Sequence, residues 1–176
     1  MKGAFIIDLS PYHDERGVFF RSFCAKLFEV NGLVASYVQT NNSISSSAGT
    51  IRGLHYQVQP FAEVKLLRCV RGSIYDVMVD IRFDSPTFMK SHSEILTSDC
   101  YRLVYVPVGF AHGFQTLVDD VEVTYQTSAL YNPHFERQIK WDDPRLGIQW
   151  PIVKPILSPK DSCAPYLQSD YSGIVL

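Results

Sequence analysis

Three stretches of the chain concentrate ionisable side chains that a reaction can use. Residues 49–57, Gly-Thr-Ile-Arg-Gly-Leu-His-Tyr-Gln, supply Arg52 and His55. Residues 63–68, Glu-Val-Lys-Leu-Leu-Arg, supply Lys65 and Arg68, and residues 107–115, Pro-Val-Gly-Phe-Ala-His-Gly-Phe-Gln, supply His112 in otherwise apolar company. A lone His on a strand more often serves structure than catalysis. Arg52, His55 and Lys65, however, fall within 14 residues, and that density points to an anion site. A guanidinium grips phosphate with two donors, and an ammonium meets it as a point charge. An imidazole, with an ordinary pKa of roughly 6.5, takes or gives a proton near neutrality. One demand follows from parity. Arg52 and His55 are three positions apart, so strict strand alternation sends them to opposite faces. Both meet one ligand only if Gly53 sits in a bulge or kink.

The elements that position these groups read as short strands: 4–9, 17–23, 37–43, 50–57, 63–70, 73–82, 88–96, 101–106, 113–117 and 121–127. They are rich in β-branched and aromatic residues and are bounded by Gly, Pro, Asn and Asp. No long helix intervenes, so the pairing is antiparallel and the fold class is all-β, a barrel or sandwich. Arg71-Gly72 reads as a hairpin turn. Residues 73–82 carry Tyr75, Val77, Val79 and Ile81 on one face, read as core. The other face, Ile74, Asp76, Met78, Asp80 and Arg82, reads as surface, the alternative being the wall of a polar cavity inside a barrel. One helix is expected from a Ser22 cap through Val30, with Gly32 as its stop, and a second short one in the tail. Residues 131–176 hold six of the ten prolines, so this segment wraps over the surface rather than entering a sheet centre.

Composition bounds the function. The chain has 176 residues, 46% apolar, 19% charged and 13% aromatic, with 16 basic against 18 acidic side chains and a net charge of −2. Such a chain is not disordered, and without a basic excess it is not expected to bind nucleic acid. No repeat or linker is visible, so a single domain over 1–176 is expected. No stretch approaches 18 apolar residues and no signal-peptide core is present, so neither a membrane span nor secretion is expected. Cys24, Cys69, Cys100 and Cys163 lack a C-x-x-C pair, which fits reduced thiols in the cytoplasm.

Gly49 followed by His55, and Pro107-x-Gly-x-x-His112, resemble the two motifs of cupin jelly-roll barrels. Those motifs usually bring His-x-His, a Glu and a further His onto a divalent metal. Here the second position is Gln57, a poor substitute for imidazole, and Glu63 stands at imperfect spacing, so no metal is expected. A fuller match runs from about Phe5 to Pro165. Asp14-Glu-Arg-Gly17, Arg52-Gly-Leu-His-Tyr-Gln57, Lys65-Leu-Leu-Arg68, Asp80-Ile-Arg82, Ser85-Pro-Thr-Phe88, Pro107 to Phe114 and Ser158-Pro-Lys-Asp161 together resemble the dTDP-4-dehydrorhamnose 3,5-epimerase family, cupin-fold nucleotide-sugar epimerases.

The resemblance implies a cupin-type antiparallel jelly roll with a few short peripheral helices and a cytoplasmic homodimer that needs no cofactor. The implied activity inverts C3 and/or C5 of a nucleotide-diphospho-4-keto-6-deoxyhexose in deoxysugar biosynthesis. It implies His55 as base, Asp161 as its carboxylate partner, Lys65 as ligand of the ketone oxygen and Tyr125 as acid on the opposite face. Asp76 is expected to orient Lys65. Arg52 and Arg16 are implied near the diphosphate. Gln39, Asn41, His112 and Tyr131 are implied as further substrate contacts, Tyr131 by stacking. Arg21 departs from the family pattern, which has an acid there that accepts from thymine across the dimer. Arg has donors only, so a CDP- or GDP-linked substrate is an alternative expectation. Two rivals stay open: a metal-dependent cupin oxygenase and a non-catalytic sugar-nucleotide binding module.

Overall fold

Alternation of apolar and polar residues produces short strands throughout the computed structural model, which describes residues 1–176. The order is β1 (Phe5–Asp8), β2 (Tyr12–Asp14), β3 (Gly17–Phe19), α1 (Ala25–Val30), β4 (Gln39–Ser45), β5 (Ile51–Gln57), β6 (Lys65–Arg71) and β7 (Ser73–Asp80). It continues with β8 (Ser91–Thr97), β9 (Arg102–Val106), β10 (Phe110–Thr116), β11 (Val121–Thr127), β12 (Glu136–Gln138) and α2 (Pro159–Ser162). Two five-stranded sheets form, β1-β9-β6-β11-β4 and β12-β5-β10-β7-β8, beside the small hairpin β2-β3. Every pairing within them is antiparallel. From β4 onward the chain mostly steps from one sheet to the other, which is the expected jelly-roll arrangement.

The layer between the sheets holds the main core. Leu67, Cys69, Val104, Val106, Val121 and Val123 from the first sheet meet Ile74, Met78, Leu96, Phe110 and Phe114 from the second. Full burial of each large apolar side chain contributes about 1.5–3 kcal/mol. The outer face of the second sheet is covered by the tail: Val77, Val79, Ile81 and Leu54 pack with Ile139, Leu146, Trp150 and Ile174. The outer face of the first is covered by α1 and the segment after it, with Phe28 against Leu66, Leu103 and Tyr105.

Three expectations are corrected here. The Asp76 face of β7 is not surface. Ile74, Asp76, Met78 and Asp80 are as buried as Val77 and Val79, because the tail covers one face and the opposing sheet the other. The Arg71-Gly72 turn does not close a hairpin. β6 pairs with β9 and β11, whereas β7 pairs with β8 and β10, so Gly72, at φ +80, carries the chain from one sheet to the other. A turn residue reports a bend and says nothing of which strand the next one bonds to. Finally, Cys24 rather than Ser22 is the N-cap of α1, and no side-chain bond closes it. Phe23, just before the cap, packs on Phe28 with ring centroids 4.9 Å apart, a hydrophobic staple. A hydroxyl cap is worth about 1 kcal/mol, less than seating a large aromatic ring. Gly32 ends the helix at φ +70 as expected.

The tail behaves as its prolines require. Only β12 joins a sheet, as an edge strand on β5, and α2 is the short second helix. The motif around Asp80 proves structural. Arg82 donates to both Asp80 oxygens at 2.8 and 2.7 Å, and the Ser85 and Thr87 hydroxyls donate to Oδ2, pinning the loop between β7 and β8. No helix is long and apolar enough to cross a membrane, and all four cysteines are free thiols.

Candidate active site

The kink demanded by parity is present. β5 and β10 pair with His55 opposite His112, and their register slips between His112 and Phe114. Gly53 stands at φ +134. A Cβ added there falls 2.5 Å from Gly113 Cα and 2.8 Å from the His112 carbonyl oxygen. Only glycine supplies this backbone and this approach, and the slip lets Arg52 and His55 line one cleft. Gly53→Ala is therefore expected to destabilise the protein by about 3 kcal/mol or more. Thermal denaturation checks this as a fall in midpoint of about 6–12 °C.

The cleft opens between the inner faces of the two sheets. One lobe of about 530 Å³ is walled by Arg52, His55, Lys65, His112, Tyr125, Ser158, Lys160 and Asp161, among others. An adjoining lobe of about 350 Å³ adds Gln39, Asn41, Gln57, Glu63, Tyr131 and Glu136, and shares His55, Lys65 and Tyr125. His55 rises from one sheet and Lys65 and Tyr125 from the other, so they face each other across the space.

His55 Nε2 lies 2.6 Å from Asp161 Oδ1. The carboxylate arrives on α2, a single turn. Ser158 is the N-cap, its Oγ accepting from the Asp161 N–H at 3.0 Å, and Pro159 follows in the first turn. The same hydroxyl donates to Asp161 Oδ2 at 2.8 Å. Burial by itself raises the Asp161 pKa. The hydrogen bonds from His55 and Ser158 and the nearby positive charges outweigh it and hold the carboxyl below its ordinary value. An ionised Asp161 accepts from Nε2–H, which leaves the lone pair on Nδ1.

Asp76 does not orient Lys65. It receives His112, whose Nε2 stands 2.8 Å from Asp76 Oδ2 in a nearly dry pair. Register explains the difference: β7 pairs with β10, while Lys65 lies on β6 in the opposite sheet. The carboxylate beside Lys65 is Glu63, with Nζ 3.3 Å from Oε1. Gln57 is a brace. Its amide nitrogen donates to Glu63 Oε2 at 3.0 Å and to the Phe61 and Leu130 carbonyls, and its oxygen accepts from Asn132 N–H. No three His, Cys, Asp or Glu side chains converge as a metal-binding group.

Burial is the main cause that raises the Tyr125 phenol above its ordinary value. Glu63 and Glu136 add to the rise and Arg52 opposes it, so the hydroxyl keeps its proton. Tyr131 is exposed at the rim and donates to Glu136 Oε2 at 2.9 Å. Arg52 reaches across to β4, donating to Ser45 Oγ and the Ile44 carbonyl.

Two expected substrate contacts lie elsewhere. Arg16 sits in the exposed β2-β3 turn, paired with Asp14 at 2.6 Å. Arg21 lines a separate groove of about 520 Å³ between β1 and α1, walled mainly by apolar side chains such as Phe5, Ile7, Leu27 and Phe28. That groove holds no counterpart of the His55–Asp161 pair, although its volume is comparable to that of the His55 lobe. Glu136 and Lys160 also line the cleft, outside the residues expected from the sequence. They pair with each other, and burial, which raises Glu136, is outweighed by Lys160, Tyr131 and His55, leaving it lowered. Lys160 stood inside a noted motif, whereas Glu136 lies on a three-residue strand too short to show a period.

The sequence profile described as dTDP-4-dehydrorhamnose 3,5-epimerase matches residues 1–169. A protein of that name from Sinorhizobium fredii is 45% identical over 157 residues, covering 89% of this chain and 80% of its own. The crystal structure of dTDP-4-dehydrorhamnose 3,5-epimerase from Bacillus anthracis, with TDP and PPi bound, is similar at a TM-score of 0.92 and 44% identity over 94% of each chain. That of a dTDP-6-deoxy-D-glucose-3,5-epimerase from Legionella pneumophila, in complex with dTDP-4-keto-L-rhamnose, gives 0.89 and 40% over 94% of this chain and 88% of that one. With sequence and fold agreeing along nearly its whole length, the chain belongs to the dTDP-4-dehydrorhamnose 3,5-epimerase family of isomerases.

Proposed function

We propose that this protein is a cofactor-independent epimerase that inverts C3 and C5 of a dTDP-linked 4-keto-6-deoxyhexose by proton exchange through enolates. The observation that carries the reading is the His55–Asp161 pair facing Lys65 and Tyr125 across one cleft. Inversion needs a base on one face of the sugar and an acid on the other, and the two sheets supply them from opposite walls.

His55 Nδ1 takes the proton from the carbon beside the ketone. The C–H electron pair becomes the enolate, whose oxygen charge meets the Lys65 ammonium. Tyr125 gives its phenolic proton to the opposite face, and solvent restores both residues. Asp161 holds the imidazole in the productive tautomer and stabilises the imidazolium. Arg52 and Lys160 suit the diphosphate, while the lobe with Gln39, Asn41, Glu136 and Tyr131 suits hydroxyl-bearing parts of the substrate. His112, held by Asp76, completes the floor beside His55.

The test is solvent exchange. A dTDP-4-keto-6-deoxyhexose incubated with the protein in heavy water acquires label at C3 and C5. Label at one carbon makes the protein a mono-epimerase, and no label with any nucleotide leaves only binding and overturns the proposal. Arg21 favours a second reading, a CDP- or GDP-linked sugar, because its donors match acceptors of cytosine and guanine. Clear preference for dTDP over CDP and GDP in binding removes it.

We also propose a cytoplasmic homodimer. Phe19 is 71% exposed and Tyr12 64% on a two-stranded hairpin that is marginal without cover, and this arm, with Arg16 and the nearby Arg21, is suited to reach a second copy.

A further inference from the structure

We infer that Glu63 is the positioning residue of the Lys65 ammonium and that Gln57 sets Glu63 for this task. The inference rests on the epimerase reading, in which Lys65 meets the enolate oxygen.

Lys65 Nζ stands 3.3 Å from Glu63 Oε1, with only 15% and 8% of the two side chains exposed. The remaining Glu63 oxygen is held by Gln57 Nε2 at 3.0 Å. Gln57 is itself immobilised by the Phe61 and Leu130 carbonyls and by Asn132 N–H. All three side chains line the same lobe of the cleft as His55 and Tyr125. The geometry therefore runs from a fixed amide, through a carboxylate anchored at one oxygen, to a cation at the other.

A lysine ammonium ends a flexible stem and loses much rotamer freedom when it is aimed at one atom. Stabilisation of a developing oxyanion is strongest when the donor is already in place before the charge appears. Glu63 supplies that placement, and its own burial is tolerable because each oxygen has a partner. It also explains why an amide occupies position 57. An imidazole that accepts from Asn132 at one nitrogen keeps a single N–H, whereas the amide shares two N–H groups among Glu63 and the Phe61 and Leu130 carbonyls.

The experiment uses the full-length protein and a dTDP-4-keto-6-deoxyhexose. Glu63→Gln is expected to lower kcat by about 10–100-fold with KM within about threefold, since the interaction matters most as charge develops. Glu63→Asp, which keeps the charge, recovers at least part of that loss. In a Lys65→Met background, adding Glu63→Gln changes the deuterium-exchange rate by less than about twofold, because the group it acts through is gone. An unchanged kcat in Glu63→Gln, or an equal loss in the Lys65→Met background, overturns the positioning role. If Glu63→Gln fails to fold, the comparison of Glu63→Asp with wild type decides. A raised KM at unchanged kcat then overturns the role, and a lowered kcat at unchanged KM supports it. No exchange by the wild-type protein overturns the epimerase reading itself; normal wild-type exchange with an indifferent Glu63→Gln overturns this inference alone.

Discussion

Replacing His55 with Ala is expected to remove solvent exchange at C3 and C5 almost completely, by about 10³-fold or more, while affinity for the nucleotide stays within about threefold. General-base catalysis contributes about 10²–10⁴-fold, and the proposed base is also the group that Asp161 holds at 2.6 Å. The truncation takes away the proposed proton acceptor and strands a buried carboxylate. It leaves Arg52 and Lys160, which suit the diphosphate, in place. Calorimetric titration of the nucleotide and an exchange time course by NMR separate the two effects. Exchange that survives the substitution puts the base on another residue and ends the assignment of His55.

Tyr125→Phe separates inversion from exchange. The variant keeps the ring that packs against the main core and loses only the hydroxyl. In the proposed mechanism His55 still forms the enolate and can return a solvent-derived deuteron to the face it came from. Inversion is expected to fall by about 10²-fold or more, with exchange at the original face falling much less. Wash-in of deuterium into unreacted substrate, measured beside product formation, gives both rates from one sample. Equal loss of both means that Tyr125 is not the opposing acid. The burial that raises its phenol supports the donor role, because a hydroxyl that stays protonated has a proton to give.

Local chemistry made much of this protein legible. Period-two alternation and turn residues marked the strands, and the prolines of 131–176 kept that segment out of the sheet centres. The resemblance put Arg52 and His55 on one ligand, and parity then required a break at Gly53, because residues three positions apart cannot share a face of a regular strand; the break occurs there. The roles of His55, Lys65, Tyr125 and Asp161 came from family resemblance and not from spacing. Asp161 lies 106 residues from His55 along the chain, and no local pattern measures such a distance.

What only the assembled sheets decided were partnerships. The Asp76 face of β7 and the bend at Gly72 differ from the sequence expectation for one reason: both depend on which sheet a strand enters. Asp76 went to His112 because β7 pairs with β10, and Lys65 was left to Glu63, two residues away in its own strand approach. Side-chain alternation is written into each strand by backbone geometry, every second residue at a time. Register and sheet order arise from contacts between residues far apart in the chain, and these determine which charge meets which.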